Sequence, residues 1–216
     1  MTLPDFVFEN KLHRQGYYLI AGVDEVGRGC FAGPVVAGCV IFNKKTSRLA
    51  DIPVKINDSK KLSSKQREIS DKWIRKNAAG FGIGTAGVSQ INRLGIKKAT
   101  EIAFRQAIVN CELSIDYLLI DAFYIPYVKG LRRKNQKAIV KGDTKSMSIA
   151  AASIIAKVYR DKFMTALSLK KKYKKYQWNK NKGYGTKIHR EMILKYGITS
   201  LHRKQFVRNY VSSQAQ

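Results

Sequence analysis

Asp24 and Glu25 close an apolar run, Tyr18-Leu19-Ile20-Ala21-Gly22-Val23, and lead directly into Val26-Gly27-Arg28-Gly29-Cys30. Adjacent carboxylates at neutral pH repel each other unless cations or protons offset their charge, and a strand end holds them rigidly. A divalent cation is the offset these residue types favour. The flanking glycines let backbone approach a ligand closely, and Arg28 between them offers a forked donor for phosphate or sugar oxygens. An acid pair beside a glycine clamp points to metal-dependent chemistry on a phosphate ester.

Only 15 acidic residues are present, so each one in an apolar setting carries information. Asp121 ends Tyr117-Leu118-Leu119-Ile120, and Asp143 follows Ala138-Ile139-Val140-Lys141-Gly142, repeating the placement of Asp24 and Glu25 at the C-terminal end of a strand. If those strands are neighbours in one sheet, four carboxylates converge and can hold two hard divalent cations through oxygen ligands. Phosphodiester hydrolysis uses such a pair about 3.5–4 Å apart, one ion generating hydroxide and the other stabilising the leaving oxygen. Asp143 is also expected just ahead of a long helix, whose dipole would favour its ionised form. Taken alone, it reads rather as a turn or helix-cap residue.

The elements that must position these acids follow from periodicity. Apolar stretches of strand length lie at residues 18–24, 35–42, 80–88, 117–121 and 137–141. Ser63-Ser64-Lys65-Gln66 has the form of a capping box and opens a helix continuing through Ile69, Trp73 and Ile74. Ile96, Ala99, Ala103, Ala107 and Cys111 share the stripe of a second helix. The longest helix begins after Thr144, with Ala150, Ile154, Val158 and Ala151, Ile155, Tyr159 at fourfold spacing, and reads as buried. Early strands with little between them, then strands alternating with helices, predict an α/β fold with a five-stranded mixed sheet flanked by helices. From about residue 165 the chain reads helical and polar. No repeat or long linker divides it, so residues 1–216 are expected to form a single domain.

Lys and Arg total 41, giving a net charge of +26 over 216 residues. A surface that positive concentrates polyanions, which makes nucleic acid the first candidate partner. The 44% hydrophobic content excludes a disordered class. Cys30, Cys39 and Cys111 form no CxxC pair, and His13, His189 and His202 show no zinc spacing. His189 and His202 read as structural or phosphate-adjacent rather than as metal ligands. With no secretory h-region near Met1 and no apolar stretch approaching 18 residues, the expectation is a cytoplasmic protein with no membrane association. Tyr173, Tyr176 and Trp178 interrupt the lysine-rich stretch 170–182, which therefore reads as a surface for a duplex backbone rather than a merely solvated tail.

Gly22-Val23-Asp24-Glu25-Val26-Gly27-Arg28-Gly29 with Ala32-Gly33-Pro34-Val35 resembles the opening motif of bacterial ribonuclease HII, a type 2 ribonuclease H. Further stretches appear in the family's order: Asn57-Asp58-Ser59-Lys60-Lys61-Leu62, Leu119-Ile120-Asp121, Lys141-Gly142-Asp143, Ile149-Ala150-Ala151-Ala152-Ser153-Ile154-Ile155-Ala156-Lys157-Val158-Tyr159-Arg160-Asp161, Asn181-Lys182-Gly183-Tyr184-Gly185-Thr186 and His202-Arg203-Lys204-Gln205-Phe206. The resemblance spans residues 18 to about 207. It implies a ribonuclease H-like fold with a helical C-terminal extension. It further implies endonucleolytic hydrolysis of the RNA strand of RNA/DNA hybrids, with incision 5′ of single ribonucleotides embedded in duplex DNA, leaving 3′-hydroxyl and 5′-phosphate ends. By the same resemblance Asp24, Glu25, Asp121 and Asp143 are the catalytic ligands of two divalent ions, Mn²⁺ or Mg²⁺. Gly27, Arg28 and Gly29 are the clamp that reads the ribose 2′-hydroxyl, Tyr184 packs on the following sugar, and Lys60 meets a phosphate. A monomer acting in ribonucleotide repair is implied as well. Val26 stands where the family usually has Ala, and Lys204-Gln205 replaces a commoner Arg-Ser.

Other classes remain to be weighed. A nucleotide-binding protein could use Gly27-Arg28-Gly29 as a phosphate cradle, but no GxGxxG or GxxxxGK[ST] accompanies it. A non-catalytic binder of RNA/DNA hybrids has no use for four strand-end acids beside a polyanion. Ribonuclease HIII carries an extra N-terminal domain, and about 17 residues before the first strand are too few for one. On the long helix, Lys157 with Asp161 reads as a local ion pair as readily as a substrate contact, and Arg160 beside them stays open in the same way.

Overall fold

The computed structural model describes residues 3–43 and 52–213. Five strands form one mixed sheet: β1 (Ile20–Val26), β2 (Val35–Ile41), β3 (Gly80–Ala86), β4 (Tyr117–Asp121) and β5 (Gln136–Ile139), in the spatial order β3-β2-β1-β4-β5. The first three pair antiparallel, whereas β4 runs parallel to β1 and β5 parallel to β4. The three strands expected to carry the acids are therefore adjacent and point the same way.

The sheet is covered on both faces, which is why its strands read as nearly continuous apolar runs. Ala21 and Val23 of β1 join Ala99, Ala103, Phe104 and Ala107 of helix α3 (Val88–Val109) on one face. Ile20 packs with Leu119, Ile139 and Ile149 on the other, the face of helix α4 (Met147–Leu169). α4 lies unusually near the sheet: a Cβ at Gly22 would land in the backbone of Ser148, and one at Gly38 in the carbonyl of Ala152. Small residues at these two positions let a helix that is buried for most of its length sit directly on β1, which carries Asp24 and Glu25, and on its neighbour β2.

Helix α2 (Ser64–Asn77) opens with the expected capping box, Gln66 N–H donating to Ser63 Oγ at 3.2 Å and Ser63 N–H to Gln66 Oε1 at 2.9 Å. α3 carries the predicted alanine stripe, but Gly95, at φ +79°, interrupts its helical backbone, and Cys111 lies beyond its last residue. α4 begins later than its expected link to Asp143. Its cap is Ser146, and the anion at its N-terminus is Glu9 of α1 (Val7–Arg14), a helix that periodicity did not reveal. Ser146 Oγ and Ser148 N–H donate to Glu9 Oε1 at 2.6 and 3.0 Å. Asp143 instead occupies a 3-10 turn, Gly142–Thr144, entered through Lys141 at φ +55°. The helix dipole is thus offset by Glu9, and Asp143 is a turn residue beyond the end of β5.

After α4 come α5 (Trp178–Asn181), α6 (Lys187–Tyr196) and α7 (Lys204–Ser213). The lysines of this segment conceal a small core in which Tyr176 and Trp178 pack with Ala32, Met164, Ile193 and Val207. Tyr173 and Tyr176 stack on Trp178 with centroids 5.1 and 5.6 Å away. Among the described residues no helix is long and apolar enough to cross a membrane, and all three cysteines are buried and unpaired by disulfide.

Candidate active site

Asp24 and Glu25 lie within the last three residues of β1 rather than past its end, because pairing with β2 continues to Val26 opposite Val36. Val23 pairs with Ile120 of β4, so the next residue along each strand brings Asp24 beside Asp121. Strand alternation sends Asp24 toward α4, where the Ser153 hydroxyl favours its charged form against the effect of burial. Asp121 Oδ1 accepts from Gly142 N–H at 2.7 Å, fastening the end of β4 to the turn that carries Asp143.

The electrostatics of the group are those of crowded, desolvated acids. Burial raises Asp24 well above the usual carboxylate range, and the charges of Glu25, Asp121 and Asp143 push it in the same direction. Burial also raises Glu25, against the opposing pull of Arg28, whose Nη1 lies 3.2 Å from Glu25 Oε1. Asp143 is raised by burial and then by Asp58 and Asp121, with Lys60 and Lys61 opposing. Asp58 is an additional carboxylate at this site that strand patterning had no means to flag, since it sits in the loop before α2.

Among the described residues no three His, Cys, Asp or Glu side chains are arranged to hold one ion as they stand. Their chemistry nonetheless fits a hard cation. All the donors are carboxylate oxygens, three of the four groups are destabilised by burial and by one another, and Glu25 Oε2 is buried without a hydrogen-bond partner.

Beside the acids opens a cleft of about 560 Å³ lined by Glu25, Gly27, Arg28, Lys60, Lys157 and Tyr184. Gly27, at φ +90°, turns the chain out of β1 in a conformation that L side chains rarely adopt. The Arg28 guanidinium lies 5.1 Å from the centroid of Phe123, so its position is shared between that ring and Glu25. Tyr184 is half-buried between its glycines, and burial followed by the neighbouring Cys30 pushes its phenol up to about 12. Lys157 pairs with Asp161 at 2.8 Å, as its spacing allowed, and its Nζ also stands 5.6 Å from the Tyr184 ring. The structure thus brings Glu25, Gly27, Arg28, Gly29, Lys60 and Tyr184 to one cleft.

His189 and His202 stand apart from the carboxylates. Thr199 N–H donates to His202 Nδ1 at 2.9 Å, leaving Nε2 to carry the His202 proton toward His189 Nε2 at 3.2 Å. His189 Nε2 also accepts from Trp178 Nε1 at 3.1 Å, so His189 carries its proton on Nδ1 and donates it to the Tyr184 carbonyl at 2.9 Å. Both rings are neutral in this arrangement, and burial holds His189 low and His202 down to about 3. Their role is to support the Tyr184 loop from behind.

The sequence profile of ribonuclease HII matches residues 21–210, which includes every residue of this site. The chain belongs to the ribonuclease HII family. It is 47% identical over 206 residues to the ribonuclease HII of Wolbachia sp. subsp. Brugia malayi (strain TRS), covering 95% of this chain and 94% of that one. Its fold matches the crystal structure of ribonuclease H2 from Pyrococcus horikoshii OT3 with a TM-score of 0.70 at 25% identity, over 88% of this chain and 96% of that chain. It also matches the ribonuclease HII of Archaeoglobus fulgidus, solved as a complex with PCNA, with a TM-score of 0.68 at 28% identity, over 86% and 93%. As a ribonuclease HII the chain has the ribonuclease H-like fold, is a ribonuclease H endonuclease acting on nucleic acid, and belongs to a divalent-metal-dependent class of hydrolases.

Proposed function

We propose that this ribonuclease HII hydrolyses the RNA strand of RNA/DNA hybrids and incises on the 5′ side of single ribonucleotides in duplex DNA, with Asp24, Glu25, Asp121 and Asp143 as its catalytic carboxylates. The observation that carries the reading is the opening of the clamp, Tyr184 and the carboxylate Glu25 onto one cleft, beside three further acids from β1, β4 and the turn after β5. These carboxylates would hold two divalent cations, Mn²⁺ or Mg²⁺, which would supply hydroxide at neutral pH and offset charge on the leaving oxygen.

The chain's own residues do the rest. The backbone of Gly27, Arg28 and Gly29 reaches the 2′-hydroxyl, the group that tells ribose from deoxyribose at one position. Tyr184 packs on the next sugar, and Lys60 receives a phosphate. Ser153, beside Asp24 and bonded to Ser59 Oγ (3.0 Å), favours the charged Asp24 carboxyl and ties this part of α4 to the loop that carries Lys60. The exposed lysines of 170–182 contact the duplex backbone without regard to sequence. In this reading residues 1–216 act as one catalytic unit, with the segment from about 165 as its extension, working as a cytoplasmic monomer in ribonucleotide repair.

The test is incision of a DNA duplex carrying one internal ribonucleotide, beside an all-DNA duplex, with Mn²⁺, Mg²⁺ or chelator. Metal-dependent cutting 5′ of the ribonucleotide, leaving 3′-hydroxyl and 5′-phosphate ends, is expected. Cleavage of the all-DNA duplex, or binding without cleavage under both metals, would overturn the assignment.

A further inference from the structure

Two arginines near this cleft are completely buried: Arg160 of α4 and Arg203 just before α7 each expose 0% of their surface. Among the described residues neither forms an ion pair with a carboxylate. All three guanidinium nitrogens of Arg160 donate to backbone carbonyls, and Arg203 does so through Nε and Nη1 while its Nη2 is buried without a hydrogen-bond partner. Arg160 Nε donates to Pro34 O at 3.0 Å, Nη2 to Ala32 O at 3.1 Å and Nη1 to Lys182 O at 2.9 Å. Arg203 Nε donates to Gly33 O at 3.0 Å and Nη1 to Arg28 O at 2.7 Å.

The recipients form a pattern. Arg28, Ala32, Gly33 and Pro34 are the clamp and the turn that follows it, and Lys182 lies two residues before Tyr184. The two segments also touch directly, Phe31 and Ala32 N–H donating to Gly183 O at 2.8 and 3.1 Å. Gly27 rests on Arg160 so closely that a Cβ there would collide with Nε, and the Tyr184 ring centroid lies 5.7 Å from the Arg160 guanidinium carbon. One side chain thus touches the first clamp glycine, the carbonyls after the clamp, and both the backbone before Tyr184 and its ring.

A buried guanidinium without a counter-ion is costly, and an apolar side chain would fill the same space. What it supplies is a planar fork whose donors leave in fixed directions, satisfying carbonyls from segments more than a hundred residues apart. Lysine, a point charge on a flexible stem, has no such fork.

We propose that Arg160, assisted by Arg203, is a positioning residue for substrate selection, setting the spacing between the Gly27-Arg28-Gly29 clamp and Tyr184 so that a ribose and the deoxyribose after it are engaged together. The inference rests on the assignment of the clamp and Tyr184 as the reader. A single embedded ribonucleotide offers one register in which both halves must fit, whereas a long hybrid offers a 2′-hydroxyl at every step. A misplaced reader therefore harms the first substrate more.

The experiment compares kcat/KM on the single-ribonucleotide duplex and on a long RNA/DNA hybrid for the parent protein, Arg160→Lys and Tyr184→Ala, with folding checked by circular dichroism and a cooperative melt. For Arg160→Lys the ratio of the two substrates should fall by roughly ten- to a hundredfold, a displacement near 1 Å costing up to about 10²-fold. If Arg160→Lys does not fold, the same ratio is read from Arg203→Lys, which loosens only the clamp side and should shift it in the same direction. A folded variant that loses both activities equally, or neither, overturns the positioning role. A ratio that moves in Tyr184→Ala but not in the arginine variants overturns that role alone, and a ratio unmoved in Tyr184→Ala overturns the reader assignment beneath it.

Discussion

Lowering the pH from 7 to 5 should loosen the C-terminal segment through His202 and His189. In the neutral pair every ring nitrogen already has a fixed role, so an added proton must break the Thr199 bond to His202 Nδ1 or set two N–H groups against each other at the 3.2 Å contact between the rings. His202 titrates near 3 in the folded protein against a reference of 6.5, because burial and then the neighbouring His189 disfavour its charge. Between those values the unfolded chain binds more protons than the native one, so stability is full above 6.5 and falls as the pH drops toward 3. For His202 alone the loss from pH 7 to pH 5 is about 2 kcal/mol, taking 1.36 kcal/mol for each unit of pH below its unfolded pKa. His189, also held low, adds to it in the same direction. The buried acids Glu9, Asp24, Glu25 and Asp143 are raised, and their protonation on acidification works the opposite way.

The comparison that cancels those acids is urea unfolding at pH 7 and pH 5 of the parent and of His202→Gln, whose side-chain amide can still donate toward His189. The variant should lose less stability on acidification, by about the 2 kcal/mol assigned to His202. An equal loss in both proteins would refute the tautomer argument. Because His189 donates to the Tyr184 carbonyl, preference for a single ribonucleotide over a long hybrid should also decline on acidification in the parent.

Three further outcomes are expected. Asp121→Asn keeps an oxygen for the Gly142 N–H and removes one charge from a crowded group, so it should fold with undiminished stability in chelator while turnover is abolished; retained incision would contradict the role of Asp121. Ser63→Ala removes the side-chain acceptor of the α2 capping box and should cost about 1 kcal/mol in urea unfolding with no change in substrate ratio. Affinity for a noncleavable duplex should fall log-linearly with salt, by a factor on the order of 10³ between 50 and 200 mM if about six phosphates are met. A flat response would remove the duplex-backbone role of the lysines.

Much of the fold was legible because its signals are local. The strands β1 to β5, the capping box at Ser63 and the fourfold apolar ladder of α4 each express a periodicity or a hydrogen-bond pattern contained within a few residues. Strand ends shifted where pairing, not composition, sets them: β1 runs on past Asp24 and Glu25, and β5 stops at Ile139, well before Asp143. The order β3-β2-β1-β4-β5, which sets β1, β4 and β5, the last leading into the turn that carries Asp143, side by side, emerges only when the chain is folded.

The amino-acid sequence by itself determined the classes of residue, the elements that carry them, the excess positive charge and the order of motifs that marks the family. The tertiary structure alone decided which polar groups are buried and what satisfies them. Glu9 meets the N-terminus of α4 from 137 residues away, Arg160 turns inward while Lys157 and Asp161 on the same helix stay paired beside it, and Arg203 reaches back to the Arg28 carbonyl across 175 residues. Such contacts leave no local periodicity, because the free energy that selects them, the cost of an unsatisfied group removed from water, exists only after distant segments have excluded the solvent.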